Sequence, residues 1–298
     1  MKVSLIDVDS KIPNLALMRA STYHKQRGDD VKLGYDPLFD SPDLCYASKV
    51  FDFTPEPEYM PDCETLKGGP GYDLDAIMPF EDYDRIMPDY SLYGCDYAIG
   101  RFTRGCPNRC PWCVVPKMDG NEVRHVADLN DFWCGQEIVR LLDDNIMADA
   151  DEFARDCEQL SGASVKVIWE ALDIRLITDE TAKALASVRQ GAKRLHFAWD
   201  GHGQDSAIVP GIETLTRHGI KPWRLMFYVL VGFNTTPEYD MHRIMTLHEL
   251  GANPFVMPFD KSQPYQRHLA RWCNNKVIFK STTFDDYEPW TKYRRECA

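Results

Sequence analysis

The sequence predicts an α/β fold in which a small open sheet is followed by a parallel α/β barrel, or partial barrel, of six units. Strand-length apolar runs rich in β-branched residues alternate with helical patterns along most of the chain. The later runs are nearly continuous in apolar character, as expected for parallel strands that are buried on both faces. The 298 residues can bury a large core. We divide them into segments 1–95, 96–270 and a C-terminal extension, 271–298.

The first segment has the order of a β-α-β-β unit. Strand candidates lie, in order, at residues 3–8, 31–33 and 46–51. The pattern places a helix after the first strand, with Pro13 in its first turn and Gly28 as its stop. Thr65-Leu66-Lys67 and the glycine-rich turn 68–71 close the unit. Residues 72–93 are rich in Asp, Pro and Tyr, which predicts a connector on the surface.

The second segment carries six strand candidates that alternate with helices. They are Tyr97–Phe102, Ile138–Leu142, Val165–Trp169, Arg194–Trp199, Arg224–Val231 and Pro254–Met257. Thr178 can cap the start of one intervening helix, with Gly191 after it. Thr236, with Pro237 at the first helical position, opens another that ends before Gly251. In parallel barrels the chemistry lies in the loops that follow the strands, so those loops are the places to search.

The composition excludes several functional classes. No stretch approaches the roughly 18 consecutive apolar residues that a membrane helix needs, so we expect no membrane association. The short apolar run at the N-terminus meets Asp7 at once, unlike a secretory signal, and we expect a cytoplasmic protein. A formal net charge of −12 argues against general nucleic-acid binding. A local basic patch is left open, either at Arg101, Arg104, Arg109 and Lys117 or near the C-terminus at Lys292, Arg294 and Arg295.

Three of the ten cysteines, Cys106, Cys110 and Cys113, lie close together, in the loop after the first strand of the second segment. The others are dispersed, and we expect most of them to be buried as small hydrophobic side chains. Soft thiolate ligands select zinc, copper(I) or iron–sulfur clusters, and nearby arginines favour the thiolate form. Iron–sulfur clusters usually take four cysteines, so three ligands would leave one iron open to a non-protein ligand.

The pattern Cys-x3-Cys-x2-Cys, with Trp112 directly before the last cysteine, resembles the signature of the radical S-adenosylmethionine (SAM) superfamily. The resemblance implies a [4Fe–4S] cluster on Cys106, Cys110 and Cys113, with SAM bound at the open iron. It also implies a partial (β/α)6 TIM-like barrel and reductive cleavage of SAM to a 5′-deoxyadenosyl radical. That radical abstracts hydrogen from a substrate, which is not identified here. An electron donor such as flavodoxin or ferredoxin would be a partner, and Trp112 would lie at the cofactor.

Asp143, Asp144 and Asn145 follow the second barrel strand, where the resemblance places polar groups that hold the amino group of SAM. The usual Gly-Gly-Glu of the family is absent, so these residues would be substitutes. A cap at the entry of the next helix is the alternative interpretation.

Two more places resemble cofactor-binding elements of the family. Arg175, after the third strand, offers a planar fork for the ribose or carboxylate of SAM, and an ion pair with Asp173 or Asp179 is the alternative. Gly232 and Asn234 end the fifth strand, which resembles the strand end that contacts adenine. A glycine that simply turns the chain is the competing account.

The first segment resembles a shortened, degenerate cobalamin-binding domain of Rossmann-like type, in its element order and in the turn from Gly68 to Tyr72. The Asp-x-His-x-x-Gly signature that supplies a histidine to cobalt is missing, since the chain reads Asp7-Val8-Asp9-Ser10 after the first strand. We therefore expect cobalamin not to bind. A cobalamin-dependent radical SAM methyltransferase is the alternative within the family.

Two other interpretations were weighed. The Arg-Gly-Cys opening and the exit Val114-Val115-Pro116 also resemble methylthiotransferases. Cys45, Cys63 and Cys95 do not stand in the additional cysteine motifs of those enzymes, and we expect no RNA-binding domain of their kind, so a methylthiotransferase is not expected. A non-enzymatic, zinc-stabilised interaction protein would draw a fourth ligand from Cys95, His125 or Cys134. Zinc sites usually show Cys-x2-Cys pairs, and the first gap in this motif is longer.

Overall fold

A computed structural model describes residues 1–297 and shows a mixed α/β architecture with parallel sheets. The chain forms two compact units, one of residues 1–170 with 188–191, the other of residues 171–187 with 192 onward. Residue 95, the predicted domain boundary, lies inside the first unit, and the predicted division stays a prediction. Residue 298, at the end of the predicted C-terminal extension, lies outside the described residues.

The first sheet of the first unit contains β1 (Lys2–Asp7), β2 (Asp30–Leu33), β3 (Leu44–Ser48) and β4 (Glu64–Gly68). The strands are parallel, in the order β2-β1-β3-β4. Residues 3–6 of β1 are all buried, as expected for a strand covered on both faces. The predicted third strand is shorter than expected and ends at Ser48. Thr65-Leu66-Lys67 forms a fourth strand of the same sheet.

Helix α1 (Leu15–Lys25) follows β1, and its start differs from the prediction. Asn14 caps the helix by accepting a hydrogen bond from the backbone N–H of Leu17, so Pro13 lies before the helix rather than in its first turn. Gly28, with φ +81°, lies just beyond the helix end, where the sequence predicted a stop.

The connector from residue 72 to 93 contains short 3-10 turns at Tyr83–Arg85 and Tyr90–Leu92. It does not lie wholly on the surface. Phe80 is buried in the core around β1 and α1 and stacks on Tyr23, with ring centroids 3.9 Å apart. The prediction of a surface connector missed this anchor, because a single aromatic residue in a polar segment carries no periodic signal.

The rest of the first unit contains a second parallel sheet and a short hairpin. Its strands are β5 (Ala98–Gly100), β6 (Thr103–Arg104), β7 (Arg124–His125), β8 (Ile138–Leu141), β9 (Lys166–Trp169) and β10 (Arg189–Gln190). Its helices are α2 (Val115–Met118), α3 (Leu129–Phe132) and α4 (Ala150–Gly162). The sheet has the order β10-β9-β8-β5, and β6 and β7 pair antiparallel.

The second unit contains the parallel strands β11 (Leu195–Ala198), β12 (Leu225–Val231) and β13 (Asn253–Pro258), in that order. Its helices are α5 (Asp179–Ser187), α6 (Asp205–Arg217), α7 (Pro237–Glu249), α8 (Pro264–Asn274), α9 (Lys276–Ser281) and α10 (Glu288–Cys297). Short 3-10 turns occur at Ile174–Leu176, His202–Gln204 and Pro222–Arg224. All six strands predicted for the second segment are therefore present, divided between the two units.

The predicted helix signals are largely confirmed in the second unit. Thr178 accepts a hydrogen bond from the N–H of Thr181 in α5, and Thr236 caps α7 with Pro237 at its first position. Gly191 does not end α5, which stops at Ser187 before β10. Within the described chain, no helix has both the length and the apolar character needed to cross a bilayer.

Candidate functional site

The three clustered cysteines lie in the loop of the β6–β7 hairpin. Thr103 pairs with His125, and Arg104 pairs with Arg124, so the hairpin holds both ends of the loop. The sequence placed the cysteines directly after the first strand of the second segment. The structure inserts the two-residue strand β6 between β5 and the loop, and two residues are too few to show a strand periodicity.

Gly105 fixes the entry of this loop. Its φ is +88°, and a Cβ at this position would lie 2.2 Å from the carbonyl oxygen of Glu122. Its N–H donates to Oδ2 of Asp144 at 2.8 Å, and the next N–H, of Cys106, donates to the carbonyl of Gly120 at 3.2 Å. Glycine is therefore required here both by the backbone conformation and by the close approach of the opposite side of the loop.

The three cysteines have different environments. Cys106 is buried, with 9% of its surface exposed, and its Sγ accepts a hydrogen bond from Nδ2 of Asn145 at 3.7 Å. Cys110 and Cys113 are partly exposed and are joined by a turn in which the N–H of Cys113 donates to the carbonyl of Cys110. Trp112, between them, is 37% exposed. One thiol is thus anchored inside the protein, and two face outward.

This donor set fits an iron–sulfur cluster. Thiolates are the ligands that such clusters take. A hydrogen bond from an amide N–H to a cysteine sulfur is one of the contacts that set the reduction potential of such a cluster. A zinc knuckle would need its ligand atoms packed around one ion. Over the described residues, the group of His, Cys, Asp and Glu ligand atoms that lie within 4.8 Å of one another is His125, Glu152 and Asp156, which includes no cysteine.

Asp143 braces the strand that leads into the cysteine loop. Its Oδ1 accepts hydrogen bonds from the N–H of Phe102 at 3.0 Å and of Thr103 at 2.6 Å, and from the Thr103 hydroxyl at 2.8 Å. Burial raises the pKa of this carboxyl to about 6, against the lowering effect of those hydrogen bonds. The alternative interpretation of residues 143–145 as a helix cap is wrong, because Asp149 caps α4.

Asp144 and Asp119 form a coupled carboxyl pair beside the loop. Burial, and then the charge of Asp119, raise the pKa of Asp144. Burial alone would raise the pKa of Asp119 as well, but Arg104 and then Arg101 hold it below its ordinary value. A proton shared by the two carboxyls is therefore held preferentially on Asp144.

Two arginines join this pair to the N-terminal helix. Arg104 donates to Asp119 at 2.7 Å and to both carboxylate oxygens of Asp84, from Nε at 2.6 Å and from Nη2 at 2.8 Å. The fully buried Arg19 of α1 donates to the same Asp84 carboxylate at 2.8 Å. Arg101 is also paired with Asp119, at 3.3 Å. Arg101 and Arg104, two members of the basic patch that the sequence left open, are therefore paired with carboxylates.

The remaining predicted residues lie in the second unit. Arg175 pairs with Asp173 through two bonds, Nε to Oδ1 at 2.8 Å and Nη2 to Oδ2 at 2.7 Å, as the ion-pair alternative proposed. Gly232, directly after β12, has φ +83°, and a Cβ there would meet the Gln266 side chain at 2.0 Å. Asn234 also has a positive φ, +51°. The backbone conformation requires a glycine at 232 whether or not adenine binds.

A buried arginine in the second unit was not among the predicted site residues. Arg243 of α7 is 0% exposed and donates to the carbonyls of Trp199 at 2.5 Å and Leu230 at 2.8 Å, and to Asp240 at 2.6 Å. It thereby ties the end of β12 to the residue that follows β11. The sequence does carry a signal for this burial. Asp240, Arg243, Ile244 and Leu247 follow the i, i+3, i+4, i+7 spacing of one helix face, so the two charged residues share the buried face of the two apolar ones.

The dispersed cysteines are only partly as predicted. Cys45, Cys157 and Cys273 are buried, while Cys63 and Cys95 are partly exposed and Cys134 is exposed. The side chain of Cys297 lies outside the described part of the chain. Burial raises the pKa of Cys45 to about 11 and that of Cys273 to about 12, so these two thiols are inert at neutral pH.

Among the comparisons with known proteins, the one with solved structures is informative. No protein-family model and no curated protein sequence matches the chain. Among solved structures, the chain is similar to the radical SAM methyltransferase TsrM from Kitasatospora setae, whose structure has cobalamin and a [4Fe–4S] cluster bound. The TM-score is 0.62 at 12% identity, and the match covers 86% of this chain and 74% of that one. At this identity the likeness is one of fold: the chain shares an α/β fold with a radical SAM enzyme.

Proposed function

We propose that this protein is a radical SAM enzyme that holds a [4Fe–4S] cluster on Cys106, Cys110 and Cys113. The observation that carries the proposal is the cysteine loop itself. It lies in the connection between β5 and β8, which are adjacent strands of a parallel sheet. Its entry is fixed by Gly105 and Asp144, and the fold that contains it resembles that of a radical SAM methyltransferase. The partial (β/α)6 barrel that the resemblance implies is part of this proposal.

When bound, the cluster and SAM supply a 5′-deoxyadenosyl radical that abstracts hydrogen from the substrate. The residues of the chain position and shield these groups. Asn145 donates to the Cys106 thiolate, while Asp143 and Asp144 hold the backbone on both sides of Arg104. A flavodoxin or ferredoxin would reach the side of the loop where Cys110 and Cys113 are partly exposed.

The proposal assigns the amino group of SAM to the segment 143–145, the adenine to the turn at Gly232 and Asn234, and the ribose or carboxylate to Arg175. Arg175 can take this role only if its bidentate pairing with Asp173 is shared or exchanged. Asp144 has one oxygen engaged by Gly105 and is the better partner for an ammonium group, since an ammonium would also relieve its repulsion with Asp119.

The test is SAM cleavage by anaerobically reconstituted protein. Reduced wild-type protein should form 5′-deoxyadenosine, and Cys110→Ala should lose this activity together with the absorbance and EPR signal of the cluster. Cys134→Ala removes an exposed cysteine outside the loop and is the matched control. Equal turnover by wild type and Cys110→Ala, or bound zinc without iron and sulfide, would refute the proposal.

A cobalamin-dependent methyl transfer is a second candidate, because the similar methyltransferase has cobalamin bound and the match covers 86% of this chain. The expectation that cobalamin does not bind finds no support in that comparison. In the first sheet the strand order reverses between β1 and β3, where a ligand crevice is expected at the carboxyl ends. The loops after the neighbouring strands β3 and β4 pack closely, since a Cβ at Gly69 would lie 2.6 Å from the Lys49 carbonyl oxygen. Equilibrium dialysis against hydroxocobalamin decides between the two candidates.

A further inference from the structure

A buried carboxylate outside the cysteine loop has no partner. Asp156 of α4 is 0% exposed, and among the residues that the structure describes neither of its carboxylate oxygens finds a hydrogen-bond partner. A buried carboxylate without a hydrogen bond or counter-charge is costly, so a group of this kind needs a proton or a cation. Asp156 has no role in the proposed chemistry, which makes its burial a separate question.

Two further ligand atoms converge on Asp156. Glu152 precedes it by four residues, so both carboxylates lie on one face of α4. Nδ1 of His125, on β7, lies 3.6 Å from Oε2 of Glu152 and is itself buried without a hydrogen bond. One ligand atom from each of the three residues lies within 4.8 Å of the others.

His125 is also oriented as a metal ligand would be. Its Nε2 lies 3.3 Å from Oδ1 of Asp128, and that oxygen accepts a hydrogen bond from Gln159 at 3.0 Å. A carboxylate at Nε2 fixes the proton there and leaves the Nδ1 lone pair directed at Glu152. Metal-binding histidines almost always have such a carboxylate or carbonyl on the second ring nitrogen.

We infer that His125, Glu152 and Asp156 bind a divalent transition-metal ion, distinct from the cluster on the cysteines. One imidazole nitrogen and two carboxylate oxygens suit Zn²⁺ or Mn²⁺ better than a soft ion such as copper(I). Water would complete the coordination, since three protein ligands leave at least one position open. The ion would satisfy the buried Asp156 and the buried Nδ1 at once.

The two competing partners are a proton and Arg155. Burial, and then the charges of Asp143 and Glu152, raise the pKa of Asp156 to about 8, so a proton can occupy it at neutral pH. A single proton leaves the second oxygen and the histidine Nδ1 unsatisfied. Arg155 pairs with Glu152 but is 59% exposed on its side chain, and an exposed pair of this kind is weak enough for a metal to displace.

The site would connect the cysteine hairpin to α4. His125 pairs with Thr103 across the hairpin, and Thr103 lies three residues before Cys106. A metal that ties β7 to α4 would therefore hold the base of the cysteine loop in place. We assign the ion a structural role and no part in the chemistry.

The test is a titration of the full chain, with its iron–sulfur cluster assembled, with Mn²⁺. Binding is measured as the decrease in the EPR signal of free Mn²⁺. Mn²⁺ is chosen because it competes poorly for thiolates. Wild type should bind one equivalent, Asp128→Asn should bind at least about 10-fold more weakly, and Asp156→Asn should lose the site. Glu158→Gln, at an exposed position on the same helix, should bind as wild type does.

His125→Gln gives an independent check, because it removes a ligand without altering the buried Asp156. Cys110→Ala should retain one equivalent of Mn²⁺, which separates this site from the cysteines. Wild type that binds no Mn²⁺, or binds it as Asp156→Asn does, would overturn the inference. A higher melting temperature for Asp156→Asn with Mn²⁺ present would identify a protonated carboxylic acid instead and would overturn it equally.

Discussion

Asp84 is the shared carboxylate partner of the buried Arg19 of α1 and of Arg104 at the stem of the cysteine loop, and replacing it by asparagine should destabilise the first unit strongly. Arg19 is 0% exposed and Arg104 has 17% of its side chain exposed, so neither can regain full hydration when Asp84 loses its charge. Removing one partner of a buried pair costs about 3–5 kcal/mol, whereas an exposed pair contributes about 0–1 kcal/mol. The buried case applies here, and a loss on the order of 10 °C in the melting temperature should follow.

The same prediction can also be tested by the pH dependence of the stability difference between wild type and Asp84→Asn. Burial alone would raise the pKa of Asp84, but Arg104, followed by Arg19 and Arg101, lowers it below the ordinary 3.8. A carboxyl whose pKa is lower in the folded state than in the unfolded state stabilises the protein at every pH above its unfolded-state pKa. That stabilisation is lost as the pH falls through its folded-state pKa. The difference between wild type and Asp84→Asn should therefore be constant at pH 6–8 and shrink below pH 4.

Circular-dichroism melts and iron content after reconstitution are the measurements. Asp82→Asn is the matched control, since Asp82 is exposed two residues away and its φ of +49° suits asparagine. Arg104 directly precedes Gly105 and Cys106, so Asp84→Asn should also retain less iron than the control. A melting temperature within about 2 °C of wild type would mean that the arginines find other partners, and the reasoning would be refuted.

Two further predictions concern the same loop. Gly105→Ala should lose most of its bound iron, because the new Cβ would clash with the Glu122 carbonyl. Gly120 is the control, since it has nearly the same φ (+87°) but nothing within 4 Å of a Cβ, and Gly120→Ala should lose only about 1–2 kcal/mol of stability. Equal iron contents in the two variants would contradict the predicted clash. The pKa of Asp143 is raised from 3.8 to about 6, so its ionisation destabilises the folded state progressively as the pH rises from about 4 to about 6, and no further above that range. Asp143→Asn should therefore gain up to about 3 kcal/mol relative to wild type between about pH 4 and pH 7 in denaturant titrations, and a pH-independent difference would exclude this.

The strands of the second segment could be predicted because their apolar runs are long enough to be recognised in the sequence. β12, from Leu225 to Val231, is the clearest case, since alternate residues along it are fully buried and the intervening ones are half-buried. Local chemistry also located the starts of α5 and α7 at Thr178 and Thr236. At α1 the same reasoning failed, because it relied on Pro13 and overlooked the capping side chain of Asn14.

The arrangement around the cysteines could not be predicted in full. The motif identifies the thiols, but Asp84 is 65 residues from Arg19 and 20 from Arg104, and no local pattern connects them. The segment 143–145, predicted to hold the amino group of SAM, lies beside the cysteine loop, where Asn145 donates to Cys106 and Asp144 accepts from Gly105. Its contacts, however, include backbone groups of the hairpin stem, which only the tertiary fold defines.

The unequal exposure of the three thiols has a consequence for handling the protein in air. Before a cluster is assembled, oxidants reach Cys110 and Cys113 more readily than Cys106, which is buried beneath Asn145. The first damage should be sulfenic acid or a disulfide at the outer two positions, which thiol reductants reverse. Prolonged exposure should advance those same two residues to sulfinic acid, which reductants do not reverse. Aerobically purified protein would then retain an intact Cys106 while it permanently loses the capacity to assemble the cluster.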